Sequence, residues 1–437
     1  MTSAAPALPR GPWRRIPRPL RRALVLAGIL FGLPAAAWLA ADALAASRLS
    51  AALASARAEG RATSLAEMAP PPLPLDRNAA ASFRAAFDLH PDPRGEDPLL
   101  ARAAEAGFRA VSGEEERRLV RILEGSSELF ARVREGRARG ACRYDRDHAR
   151  PYSRDFPEAA PALRTAALLK LKTEWEACSG RHAEARESVR DLAALAESFK
   201  DEPIALPQLV RLALTEVAAE AARSAVEGRL PAPELRAWLE AVPRPETLDG
   251  AIHLALRGEF ALGAQLAGRP LAEGTRAVDP SQPRTGWLAE TRLLGPYWKL
   301  VGANHVRFMG RFVDVGAGPY PPARAELERM AAELRDAGRA RNLLSLLLVP
   351  ATVGLLDRQA RAQAALAVLR EGLAWELERA ERGAYPSRPA ALDPFTGRPL
   401  EFDPAQGRLS SAGLPGETSR DRGGELLSWR LRHPAGD

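Results

Sequence analysis

Nineteen consecutive uncharged residues, Ala23 to Ala41 (ALVLAGILFGLPAAAWLAA), follow a leader that carries six arginines and no acid. The arginines are Arg10, Arg14, Arg15, Arg18, Arg21 and Arg22. As a helix the apolar run is about 28 Å long, which matches the hydrocarbon core of a bilayer. The expectation is that the bulk of the chain folds on one side of a membrane. The positive-inside rule holds the arginines in the cytoplasm, so the remainder is exported. The arginine- and alanine-rich composition suggests a GC-rich genome. The expectation is a single-pass protein of the bacterial inner membrane, N-terminus cytoplasmic and bulk periplasmic.

Ala43-Leu44-Ala45 offers small residues to a signal peptidase, but the apolar run exceeds the usual h-region of about 7–15 residues, so a retained anchor is expected. Within it Gly28 and Gly32 form a GxxxG pattern, continued at the same spacing by Ala36 and Ala40. Such a face lets two helices approach closely, which would give a weak homodimer.

The net charge of +7 resembles a nucleic-acid signal until it is located. Beyond Asp42 the chain carries 56 basic and 54 acidic residues. A polyanion binder concentrates its excess on the folded part, so nucleic acid is disfavoured as a partner.

The exported part reads as mainly α: a helical bundle or irregular α-solenoid with a small β-containing tail. The divisions are a basic tail (1–22), the membrane helix (23–41), a juxtamembrane helix with a Pro-rich linker (42–76), a helical domain (77–264), a loop (265–290), a helical region (291–363) and the tail (364–437). Apolar residues at three- and four-residue spacings predict helices over 113–134, 159–178 and 183–199. Further helices are predicted through Leu209–Val217, near Glu234–Val242, from Pro322 to Gly338 and from about Asn342 to Arg382. The second apolar run, Leu343 to Leu356, is too short to span a bilayer comfortably and reads as a buried helix. Short strands are expected around Leu400–Phe402, Leu409–Ser411 and Leu426–Leu431.

The tail carries Gly383, Tyr385 and Pro386, then Leu392, Asp393, Pro394, Gly397, Pro399 and Leu400, with Gly423, Gly424 and Trp429 near the end. From Ala364 to Arg430 it resembles the C-terminal half of the major pseudopilins of type II secretion. That resemblance implies a long helix, a turn and a small antiparallel sheet. Two features depart from it. A pseudopilin begins with its hydrophobic helix, whereas here the tail lies at the far end of the chain. The pseudopilin calcium loop is acidic, whereas here Glu417, Asp421 and Glu425 are interrupted by Arg420 and Arg422, which opposes the cation. As a whole the chain is similar to single-pass bacterial membrane proteins with long helical regions and such tails. No activity comes with that likeness.

Motifs for chemistry are sparse. None of the six histidines belongs to HExxH, and no Gly-x-Ser-x-Gly, Ser-x-x-Lys, Walker-type or dinucleotide glycine pattern occurs. No catalytic residue, cofactor or metal is assigned. Cys142, Asp145, Asp147 and His148 form the nearest approach to a zinc cluster, but arginines interleave them and known zinc spacings are missing. Cys142 and Cys178 face an oxidising compartment and can join as a disulfide only if the loop between them folds back, because a helix over 159–178 is about 30 Å long. Glu376 and Glu378 read as the solvated face of a helix. Tyr297, Trp298, Phe308 and Phe312 suit either a partner surface or one buried helix face, the buried face being the usual outcome. The functional expectation is a membrane-anchored scaffold or protein-interaction module whose partners are envelope proteins. An accessory of a secretion or pilus-like assembly and an envelope hydrolase with a dispersed site are the alternatives.

Overall fold

The apolar run does not end as a helix at Ala41. In the computed structural model, which describes residues 17–148, 156–269, 292–336, 343–414 and 427–431, one helix runs on far past it. It comprises α1 (Arg18–Ala27), a π-helical turn (Gly28–Gly32) and α2 (Leu33–Ala58). The π turn stands just before Pro34, whose ring would clash with the carbonyl four residues back in an ordinary α-helix. Leu24, Leu26, Leu30, Phe31 and Leu33 are all exposed. This single helix is long and apolar enough to cross a membrane.

From Trp38 onward the environment changes. Trp38, Asp42, Ala45, Leu49, Ala52 and Ala56 recur at alternating four- and three-residue steps, the spacing of a helix-packing seam. Ala45, Ala52 and Ala56 on that seam are buried. The seam packs along α12 (Gly295–Gly316). Polar contacts pin it at both ends. Trp38 Nε1 donates to the Leu293 carbonyl at 2.7 Å, and Lys299 Nζ lies 2.7 Å from the Asp42 carboxylate. Beyond the seam, Arg61 meets Asp314 at 2.8 Å.

The body is helical: α3 (Ala80–Asp88), α4 (Pro98–Ala106), α5 (Gly113–Gly125), α6 (Ser127–Arg139), α7 (Ala159–Cys178), α8 (His182–Glu197), α9 (Ala205–Ala225), α10 (Ala232–Ala241) and α11 (Ala251–Leu266). After α12 come α13 (Tyr320–Asp336) and the 40-residue α14 (Leu343–Arg382). The helix expected over 113–134 is two, broken at Ser126, whose hydroxyl bonds back to the Ile122 carbonyl at 2.7 Å. Helices α7, α8 and α9 pack on one another. Helix α14 lies across α9, α10, α11, α12 and α13, so the bundle is organised around one long helix. Among the described residues one large buried cluster runs from Ala52 to Trp429, with a small second one at Leu65, Ile204 and Ala261.

The tail folds onto the C-terminal half of α14. Strands β1 (Glu401–Asp403), β2 (Arg408–Ser410) and β3 (Ser428–Arg430) form an antiparallel sheet in that order, with Leu409 opposite both Phe402 and Trp429. The Trp429 ring lies over Gly372, where a Cβ would stand 2.4 Å from it. Trp375 is buried between Tyr385 and Phe402.

Candidate functional site

On α8 the residues Leu192, Leu195 and Ala196 turn into the core. The opposite stripe, Arg186, Arg190, Ala193 and Glu197, lines an open groove. Helix α6 contributes Arg134 and Arg137, α10 and the turn after it contribute Arg236, Val242, Pro243 and Arg244, and α14 contributes Arg370. The groove consists of a cleft of about 660 Å³ and a second of about 480 Å³ that share Arg190 in their walls. Among the described residues seven arginines and four glutamates line the two together, with no aromatic side chain.

Several of these guanidinium groups are held by acids. Arg186 pairs with Glu234, Arg236 with Glu381, and Arg190 with Glu187. Glu187 also receives Arg137 at 2.6 Å. Arg370 is held differently. Its Nη1 donates to the carbonyls of Leu239 at 2.8 Å and Val242 at 2.7 Å, which are left open at the end of α10. Neither Arg370 nor Arg244 has an ion pair among the described residues. Burial and the neighbouring Arg244 guanidinium hold Arg370 below the ordinary arginine range. Two cations without an ion pair among the described residues therefore stand in one wall, with the Glu246 carboxylate partly offsetting the effect on Arg370.

Beneath the groove Asp191 is fully buried. It lies 3.1 Å from Arg137 and 3.7 Å from Arg134, but out of line for a hydrogen bond with either. Burial therefore outweighs Arg137, Arg134 and Lys172 and raises its pKa to about 6. Beside it, Lys172 Nζ reaches Ser188 Oγ at 2.6 Å and Glu176 at 2.5 Å, and the Ser188 hydroxyl donates to Glu176 at 2.7 Å. The lysine is tied up by a carboxylate and the serine is buried, so the triangle bridges α7 to α8 and is not presented to a substrate.

The residues singled out in the sequence lie elsewhere. Cys142 and Cys178 are both free thiols. Burial next to Tyr144 pushes Cys142 up to about 12, while Cys178 is exposed and its Sγ accepts from Arg109 Nε at 3.3 Å. In the loop of Asp145, Asp147 and His148 the dominant contacts belong to Arg146, which bridges Glu158 at 2.9 Å and Glu202 at 2.8 Å. Among the described residues no three potential metal ligands converge. Gly28 and Gly32 bound the π turn and face open space. Trp298 and Phe312 are buried, Phe308 packs against the core, and the Phe308 and Phe312 rings lie 5.0 Å apart, tilted by 41°. The solvated-face expectation for Glu376 and Glu378 is corrected for the first of them. Glu376 is buried, accepting the Tyr385 hydroxyl at 3.0 Å, because the turn after α14 folds back over it. Glu417, Asp421 and Glu425, like Gly423 and Gly424, lie outside the described residues, as does most of the expected loop 265–290.

No sequence signal marked the groove. Its arginines stand between residues 134 and 370, and each alone reads as the polar side of an amphipathic helix. Comparison with protein-family models, curated proteins and solved structures found no match.

Proposed function

We propose that this protein is a membrane-tethered scaffold that works by holding another macromolecule in the arginine-lined groove. The observation that carries the reading is the groove itself: an open, charged concavity assembled from α6, α8, α10 and α14, on a body whose core is continuous with the anchor. Open concave surfaces on helical bodies suit protein partners. The leader's arginines support an inner-membrane anchor with the groove outside the cytoplasm.

The test uses the full chain in its native membrane, with a photo-crosslinking residue at Ala237 in the groove or, separately, at the exposed Arg121 on α5. The expected result is a discrete adduct from Ala237 that Arg121 does not give. The same adducts from both faces, together with turnover of an envelope substrate by the purified protein, would replace the scaffold reading with the hydrolase one.

A further inference from the structure

We infer that the groove between α8, α10 and α14 receives an acidic peptide segment, rich in Asp or Glu, belonging to a partner protein. This rests on the scaffold reading and adds the chemistry of the ligand.

Charge is the first ground. Of the seven arginines in the walls, Arg134, Arg137, Arg186, Arg190 and Arg236 are held by acids, and Arg244 and Arg370 have no ion pair among the described residues. A guanidinium carries five N–H donors. Arg370 uses Nη1 on the carbonyls of Leu239 and Val242, and its Nη2 and Nε donate to no protein atom among the described residues. An incoming carboxylate would accept from that free fork and relieve the repulsion between Arg370 and Arg244.

The lining between the arginines narrows the class. Ala193, Val242 and Pro243 are small and aliphatic, and among the described residues no aromatic ring lines the clefts for a nucleobase to stack on. Glu187, Glu197 and Glu240 also stand in the walls. A phosphate-dense polyanion would meet those carboxylates wherever it lay. A peptide whose acids are spaced along an extended backbone can set each one against an arginine and pass the glutamates with neutral residues. The two clefts adjoin at Arg190 and are open to solvent, which fits a segment of chain lying through them. The anchor packs on α12, so the groove-forming helices are not the ones that carry the membrane segment.

The experiment titrates the full-length chain in detergent micelles with a labelled peptide of alternating Glu and Ala, and with its Gln counterpart. The Glu peptide is expected to bind at least about tenfold tighter, a difference that shrinks as salt screens the walls. Arg244→Glu and Arg190→Glu should each weaken it by about tenfold or more with an unchanged circular dichroism spectrum, whereas Arg121→Glu should not. Equal affinity for the two peptides, an equal loss from Arg121→Glu, or displacement by polyphosphate but not by unlabelled Glu peptide would overturn the inference. If any of these occurred while Ala237 still gave its own crosslinked partner, the scaffold reading would stand and only the acidic-peptide class would fall.

Discussion

His305 sits in α12 with 1% of its surface exposed, its ring in the space left by Gly263, where a Cβ would be 2.1 Å from Nε2. Burial alone lowers its pKa to about 4. In the unfolded chain the same imidazole titrates near the usual value of about 6.5. Between those values the unfolded state binds a proton that the folded state refuses, so this group's contribution to stability falls as pH falls. At about 1.4 kcal/mol per pH unit, it costs about 2 kcal/mol on going from pH 7 to pH 5. Asp191 acts in the opposite sense. Its folded pKa, raised to about 6, makes the folded state the better proton binder over the same window, so acidification stabilises it. The two partly cancel in the native protein. Urea unfolding at pH 7 and pH 5 separates them: His305→Asn should lose less stability on acidification than the parent, and Asp191→Asn should lose more. Parallel changes in the two variants would contradict the assignment. Glu376 shows what was illegible at this scale. Helical periodicity places it on a face, but it does not say that Tyr385, nine residues on, returns to cover that face.

Individual helices were legible because their apolar spacing is regular; α7 follows the expected 159–178 span. The groove was not, since it exists only where α6, α8, α10 and α14 meet. The tail stands between these cases. Its residues pointed to a turn and short strands, and the pseudopilin resemblance implied a small sheet, but nothing named the element that the sheet docks on. That docking depends on a missing side chain. A Cβ at position 372 would stand 2.4 to 2.8 Å from atoms of the Trp429 indole, so Gly372→Ala should displace β3 and cost about 1–3 kcal/mol, as overpacking does. Trp429→Ala should cost about 3–5 kcal/mol by leaving a cavity. In the double variant the losses should not add, because the methyl enters the space the indole has vacated. Thermal unfolding of the three variants checks this, and simple additivity would show that the ring does not sit on Gly372. The turn before the sheet has its own dependence. The Asp393 carboxylate accepts from Phe395 N at 3.0 Å, Ser411 Oγ at 2.9 Å and Ala412 N at 2.7 Å. Asp393→Ala should leave those donors unpaired and cost about 2 kcal/mol, and an unchanged denaturation midpoint would remove that role.

At the scale of the whole molecule the decisive feature is the continuity of the long apolar helix with the body. The sequence left two fates for the segment, retention or removal near Ala45, because small residues at 43–45 serve either. Packing adds a physical argument for retention. Cleavage after Ala45 would sever α2 in the middle of a helix, at a residue with 1% of its surface exposed. It would also remove Trp38 and Asp42, and with them the bond to Leu293 and the ion pair with Lys299. A peptidase needs its substrate extended, and unwinding this stretch would expose the face of α12 that the seam covers. The expected outcome is therefore a full-length protein that stays in the membrane fraction after alkaline carbonate extraction, with an intact mass including residues before Ala23. A reporter fused after Asp437 should be active only on the outer side, and reversing the sign of Arg14, Arg15, Arg18, Arg21 and Arg22 together should reduce that activity. A soluble product beginning at Ala46 would show that the fold tolerates losing Trp38 and Asp42, and the tethered scaffold would have to be replaced by a released one.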